Sequence, residues 1–231
     1  VLDSTPPVVE NVVSQDVDNS QDADNYYHAG QQVEIRAQAK DSEANLEGTI
    51  EVKSKSVSYN SGIQSLEDEG NGFYSYIWKT DGLPEAKDYI VEVRLEDLLE
   101  REVMDNSLII SIDNTPPPQG KLVINKGQVS TDTRSVRLDI SIAEEELTNT
   151  EMYIEGDIVE DSNTFKWIHF KSTLVVNLTD GDGEKEVMVK FRDAALNVSE
   201  PQTNIITLDR ALPEVNNVLI EDGKVYTDTR V

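Results

Sequence analysis

A repeated five-residue junction constrains this chain more than any other feature. Residues 113–117 read DNTPP, residues 3–7 read DSTPP and residues 209–213 read DRALP. The second and third copies each follow a short apolar run, SLIISI at 107–112 and NIITL at 204–208. Proline cannot donate to a sheet ladder and drives its predecessor into extended geometry. A strand running into such a segment therefore ends there and continues as a stiff connection. An offset of 96 that superposes Asp209 on Asp113 also superposes Pro213 on Pro117, Ile220 on Ile124, Gly223 on Gly127 and Val225 on Val129. It brings the TDTR of 227–230 onto the TDTR of 131–134. Self-similarity at a fixed period marks a tandem array. The expected organisation is one unit over 1–112, a second over 113–208 and the truncated start of a third over 209–231, a window from a longer array.

Units of about a hundred residues can each bury the core of one sheet sandwich. Cysteine is missing, which removes disulfides, thiolate metal sites and cysteine nucleophiles together. No apolar run approaches the roughly twenty residues of a membrane span, so no membrane insertion is expected in this segment. The 45 Asp and Glu against 20 Lys and Arg leave a net charge of −25, with −15 in residues 3–112 and −8 in residues 113–208. A surface of that sign repels phosphate backbones and anionic headgroups, which argues against nucleic-acid and membrane-surface partners.

The apolar pattern has period two throughout. Val33, Ile35, Ala37 and Ala39 alternate with Glu34, Arg36, Gln38 and Lys40; Tyr89, Val91, Val93 and Leu95 share a face, as do Leu108, Ile110 and Ile112. In the second unit Val136, Leu138, Ile140 and Ile142 repeat the first alternation, and Val187, Val189 and Phe191 the next to last. Half-buried strands separated by turns such as GNG at 70–72 and TDGLP at 80–84, about seven to a unit, predict an all-β chain of tandem seven-stranded antiparallel β-sandwiches.

Local motifs give that class a family likeness. Leu83 and Pro84 before Tyr89 resemble the tyrosine corner of immunoglobulin-like and fibronectin type III-like sandwiches. The TDGDGEKEVMVKFRDAALNVS of 179–199, with Trp167 upstream and the DNTPP-type linkers, resembles the tandem Ig-like repeats of bacterial and archaeal cell-surface and secreted proteins. Their usual pattern is a DG turn, a valine-rich strand and DAAGN. The first unit, with AGQQV, GNGFY and TDGLP, looks like a sister type. Leu196 stands where that pattern has glycine, and the corresponding turn of the first unit is EDLLERE at 96–102. A wider turn or a changed backbone is the expectation there. Asp193 and Asp97 occupy the aspartate position, where a carboxylate caps turn amides.

What the resemblance implies is a non-catalytic, extracellular structural segment, the stalk or spacer of an adhesin or a surface-layer subunit. Its partners would be neighbouring repeats of the same chain, other copies, or surface glycans. His28 and His169 lie in no metal or nucleophile motif, no phosphate-cradling glycine loop occurs, and no nucleophile, base and orienting group can be named together. The alternative is a carbohydrate-binding or adhesive module, for which Tyr74, Tyr76 and Trp78 on one face of a strand are the candidate platform. The competing reading places those rings in the core. Asn177 (NLT) and Asn197 (NVS) fit the glycosylation pattern.

Calcium is the one cofactor the acidic pattern suggests. Asp16, Asp18, Asp22 and Asp24 place oxygen ligands at alternate positions of one loop, expected near the following linker and Asp113. Calcium takes six to eight oxygens and no soft ligand is needed. A solvated loop that relieves its own repulsion in water is the competing reading.

Overall fold

The computed structural model describes residues 5–18, 25–41, 46–143 and 147–214. Residues 215–231, on which the expected third unit falls, lie outside the described residues, as do Asp22 and Asp24. The buried apolar side chains form two separate clusters, one drawn from residues 12–112 and one from residues 122–208.

The first cluster lies between two sheets. One is β1 (Val8–Asp16), β3 (Gln32–Lys40), β8 (Phe73–Lys79) and β7 (Glu67–Gly70), in the order β1-β3-β8-β7. The other runs β2 (Tyr26–Tyr27), β11 (Ile109–Ile112), β9 (Ala86–Glu96), β4 (Glu47–Ser54) and β5 (Tyr59–Asn60), with β6 (Gln64–Ser65) on β4 and β10 (Glu102–Asp105) on β9. The second cluster repeats the plan with fewer strands. β12 (Lys121–Ile124), β14 (Ser135–Ser141) and β17 (Thr173–Asn177) form one sheet. β13 (Ser130–Thr131), β19 (Gln202–Leu208), β18 (Gly183–Arg192), β15 (Glu151–Gly156) and β16 (Trp167–His169) form the other. Among the described residues, and with its split first strand counted once, the second sandwich has seven strands. The first adds β7, and its last strand is interrupted between β10 and β11.

Both units are Ig-like β-sandwiches, and in both the first strand changes sheets. β1 pairs antiparallel with β3, whereas β2 pairs in parallel with the last strand, β11; β12 and β13 do the same with β14 and β19. In the second unit the switch is made by Asn125, Lys126 and Gly127, all at positive φ (44°, 58° and 88°). Three consecutive left-handed residues reverse the twist of an extended chain and redirect it.

The expected alternation is what fills the cores. Val33, Ile35, Ala37, Tyr89, Val91, Val93 and Leu95 are buried, as are Val187, Val189 and Phe191. Trp78 and Tyr89 stack at 5.4 Å between ring centroids, with Tyr59 against both, and Trp78 Nε1 donates to the Tyr59 hydroxyl at 3.2 Å. The Tyr89 hydroxyl donates to the Pro84 carbonyl at 2.8 Å, completing the tyrosine corner.

Candidate functional site at the joint

Segment 113–120, which connects the two clusters, is tied down on both sides. Upstream, Asp113 N donates to Tyr27 O at 2.9 Å, extending the parallel pairing of β2 with β11 by one bond. Asn114 then spends its whole amide: Oδ1 accepts from Ala29 N (2.7 Å) and Nδ2 donates to Leu83 O (3.1 Å). Glu85 Oε1 accepts from Asn114 N (2.9 Å) and from the Thr115 hydroxyl (2.6 Å). Leu83 and Glu85 flank Pro84 of the tyrosine corner, so the loop that holds the crossover also grips the outgoing chain. Pro117 is buried, and so is Pro7, its counterpart in the earlier copy of the motif.

Downstream, Gln119 Nε2 donates to Pro201 O at 2.7 Å. Gly120 admits no side chain: a Cβ there would lie 2.4 Å from Phe191 Cε2 and 2.8 Å from Ser141 O. The closing contact comes from the turn of residues 193–197. Asn197 Nδ2 donates to Asp113 O (2.9 Å) and to Asp193 Oδ2 (3.0 Å), while Asn197 N donates to Asp193 Oδ1 (2.9 Å). One amide thus ties the linker to the turn and satisfies the turn's own carboxylate. Burial pushes the Asp193 carboxyl above its ordinary range, opposed by the Asn197 hydrogen bonds and assisted by the nearby charge of Asp113.

The turn itself corrects the expectation of a changed backbone. Leu196 adopts φ 64°, the conformation glycine would supply, and Glu100 adopts φ 61° at the same place in the first unit. Leu196 N donates to Asp193 O (3.2 Å) and Glu100 N to Asp97 O (3.0 Å), so the two turns share one backbone. Both aspartates cap it, Asp97 Oδ1 accepting from Leu99 N (2.8 Å) and Arg101 N (3.0 Å).

Of the candidate calcium ligands, Asp16 and Asp113 have carboxylate oxygens engaged within the protein. Asp16 is buried, its Oδ1 accepting from Asp18 N (3.0 Å) and its Oδ2 from Gln31 Nε2 (2.6 Å). Asp113 Oδ1 accepts from Thr115 N at 3.0 Å. Asp18 is exposed. Among the described residues no group of three or more His, Cys, Asp or Glu is placed to hold a metal ion. The aromatic platform is also corrected: Tyr74 and Trp78 are buried in the first core and Tyr76 packs partly buried against it. Asn177 is exposed, whereas the Asn197 amide is committed to the joint.

Sequence reasoning did not single out Asn114, Glu85, Gln119 or Gly120. The repeat held a usable signal, since the offset of 96 sets Asn114 on Arg210. Arg210 is likewise gripped by the loop before the penultimate strand, its Nε donating to Asp182 Oδ1 (2.7 Å), with Nη1 3.0 Å from Asp180 Oδ1. Both units therefore hold the residue after the linker aspartate, the first through neutral amide bonds and the second through ion pairs.

No family model matches the chain, and no curated protein matches it. Similar solved structures include the fibronectin(III)-like modules of Clostridium thermocellum CbhA (10% identity, 92% of this chain and 99% of that one, TM-score 0.47). The first to third fibronectin domains of chicken CNTN1 align at 11% identity over 80% of this chain and 65% of that one, TM-score 0.46. The PKD domain of an M14-like peptidase from a Thermoplasmatales archaeon aligns at 20% identity over 42% of this chain and 98% of that one, TM-score 0.34. Among the described residues no helix is long and apolar enough to cross a membrane.

Proposed function

We propose that this chain is a load-bearing, non-catalytic spacer of an extracellular surface protein, a stalk or wall segment whose units repeat along a longer chain. One observation carries the reading. In both sandwiches the second part of the split first strand lies parallel to the strand that leaves, β2 beside β11 and β13 beside β19. Pulling the ends apart draws parallel neighbours in opposite directions, so their hydrogen bonds are loaded together along the strands rather than opened one by one. Asp113 N to Tyr27 O and Asp209 N to Thr131 O, both 2.9 Å, are corresponding bonds of that pairing in the two units. The proline-closed, hydrogen-bonded joint would carry force from one unit to the next without a slack segment.

Calcium at the joint belongs to this proposal. Burial, and in addition the charge of Asp113, raises the proton affinity of Asp193, and a divalent cation between the two carboxylates would relieve their repulsion. Asp22 and Asp24 are the further ligands the sequence offers. The carbohydrate reading loses its platform, because the rings that would carry it pack in the core.

Single-molecule pulling between the ends is the test. The spacer reading expects two discrete rupture events, each releasing about 3.3–3.6 Å per unravelled residue, and a lower rupture force when Tyr27→Pro removes a β2 donor. Continuous low-force extension would refute it. Thermal melting in calcium against matched magnesium separates the cation from the spacer, since equal midpoints remove calcium and leave the spacer standing.

A further inference from the structure

We propose that Lys185 is the corner residue of the second sandwich, and that the loop it anchors makes the joint after that sandwich ionic, loosening with salt while the joint at 113–120 does not. The offset of 96 that superposes the linkers also places Lys185 on Tyr89 and Asp180 on Pro84. The bond is reproduced along with the positions. Tyr89 donates its hydroxyl proton to Pro84 O at 2.8 Å, and Lys185 Nζ donates to Asp180 O at 3.1 Å and to the Thr179 hydroxyl oxygen at 3.2 Å. Tyr89 is fully buried, and Lys185 is 8% exposed, on the core-facing side of β18 with Val187, Val189 and Phe191.

Burying an ammonium group is costly unless its protons find acceptors. Both acceptors here are neutral, and both belong to the loop before β18. Lys190, on the opposite face of the same strand, reaches Glu155 instead, at 3.7 Å. The charge of Lys185 therefore serves to hold residues 179 and 180 rather than to form an ion pair.

What the held loop grips differs between the units. In the first, Leu83 O and Glu85 take the uncharged Asn114. In the second, Asp180 and Asp182 take a guanidinium: Arg210 Nη1 lies 3.0 Å from Asp180 Oδ1, Nε donates to Asp182 Oδ1 at 2.7 Å, and Arg210 N donates to Asp182 Oδ2 at 3.1 Å. The Arg210 bonds hold the Asp182 carboxyl below its ordinary range. All three side chains are at least 40% exposed, so salt reaches them. The screening length shrinks from about 10 Å at 0.1 M salt to about 3 Å at 1 M. The Asn114 amide bonds to Ala29 N and Leu83 O pair no opposite charges and have no such dependence. An array with this joint would change stiffness with ionic strength, a use that rests on the spacer reading, although the joint itself does not.

Amide exchange by nuclear magnetic resonance on the 231-residue chain, from about 0.1 M to about 1 M potassium chloride, compares the two joints. Arg210 N reports the second, and Ala29 N, which donates to Asn114 Oδ1, reports the first. Protection at Arg210 should fall about two- to fivefold relative to Ala29, and Arg210→Gln should leave residue 210 indifferent to salt. A constant ratio overturns the ionic joint, as does a salt dependence that survives Arg210→Gln. Lys185→Met, of similar length and without a donor, should cost residue 210 its protection already at low salt; a folded variant with protection unchanged overturns the corner. Should that variant melt early, the ammonium protons of the wild-type chain decide. Those of Lys185 should exchange slowly enough to be observed and those of exposed Lys126 should not, so an absent Lys185 signal overturns the corner equally. None of these results alters the pulling experiment, and failure here leaves the spacer reading standing.

Discussion

The turns at 97–101 and 193–197 have the same backbone and opposite electrostatics. In the first, Asp97 caps two backbone N–H groups and pairs with Arg101 Nε at 2.6 Å. Burial pushes its carboxyl up, but those hydrogen bonds and the guanidinium together outweigh burial and hold it below its ordinary 3.8. In the second, Asn197 stands where Arg101 stood, and burial with Asp113 nearby leaves Asp193 above 3.8. The exchange of a cation for an amide marks the difference in use. The arginine pairs with the carboxylate of its own turn, whereas the asparagine amide carries a second proton that reaches the Asp113 carbonyl. The second turn gives up charge pairing and gains a connection to the preceding unit.

Four perturbations break or sharpen that contrast. The largest effect belongs to Gly120→Ala, whose added carbon overlaps Phe191, two residues before Asp193, and the Ser141 carbonyl. Relief requires a shift of backbone or core, costing about 1–3 kcal/mol, and calorimetry should show a lowered transition for the second sandwich with the first unmoved. Asn197→Ala comes next. It removes the two Nδ2 bonds, to Asp193 Oδ2 and to the Asp113 carbonyl, a loss of about 1–3 kcal/mol in urea titration, whereas Arg101→Ala removes a pairing confined to its own turn and costs less; in both variants the aspartate keeps its backbone donors. The order reversed would mean that Asn197 is no more than a turn residue.

Leu196→Gly and Glu100→Gly are expected to stabilise their respective units by up to about 1 kcal/mol, by removing the cost of a left-handed side-chain-bearing residue. Equal gains would show the turns to be interchangeable in backbone energy, as their common φ implies. The smallest effect is in pH. Asp97, with its folded value depressed, contributes stability that is present above 3.8 and lost as pH falls through the folded value. Asp88 behaves likewise, held down to about 2 by the Ser54 and Ser56 hydroxyls and the Lys55 and Ser56 amides. Asp193 has the opposite sign: its charge costs stability at neutral pH, and the cost disappears as pH falls through its raised value. Denaturant midpoints of Asp97→Asn and Asp193→Asn, compared with wild type at neutral pH and well below 3.8, should therefore move in opposite directions.

The sandwiches were legible because their signals are local. Period-two alternation around Val33–Ala39 and Val187–Phe191 names the buried face, and Tyr89 five residues after Pro84 names the corner. The joint was legible only in outline. DNTPP announces a junction, but the groups that hold it, Ala29, Leu83, Glu85 and Asn197, come from three loops separated by 29 to 85 positions from their partners. No short-range pattern encodes such meetings. The aromatic row at 74–78 left both a platform and a core placement open in the sequence, because alternation states which side chains share a face, while burial of that face depends on the opposing sheet, here Tyr89 and Tyr59.

The central claim is that the linker holds the two sandwiches at one angle. Because the chain has no native cysteine, spin labels at Lys79→Cys and Thr203→Cys, both exposed strand positions, report one inter-unit distance by pulsed dipolar spectroscopy without background labelling. The clamped joint predicts a single narrow distance distribution that broadens when Asn114→Gly and Asn197→Ala remove two of its side-chain ties. A broad distribution in the otherwise unaltered chain, indifferent to those substitutions, would contradict the account.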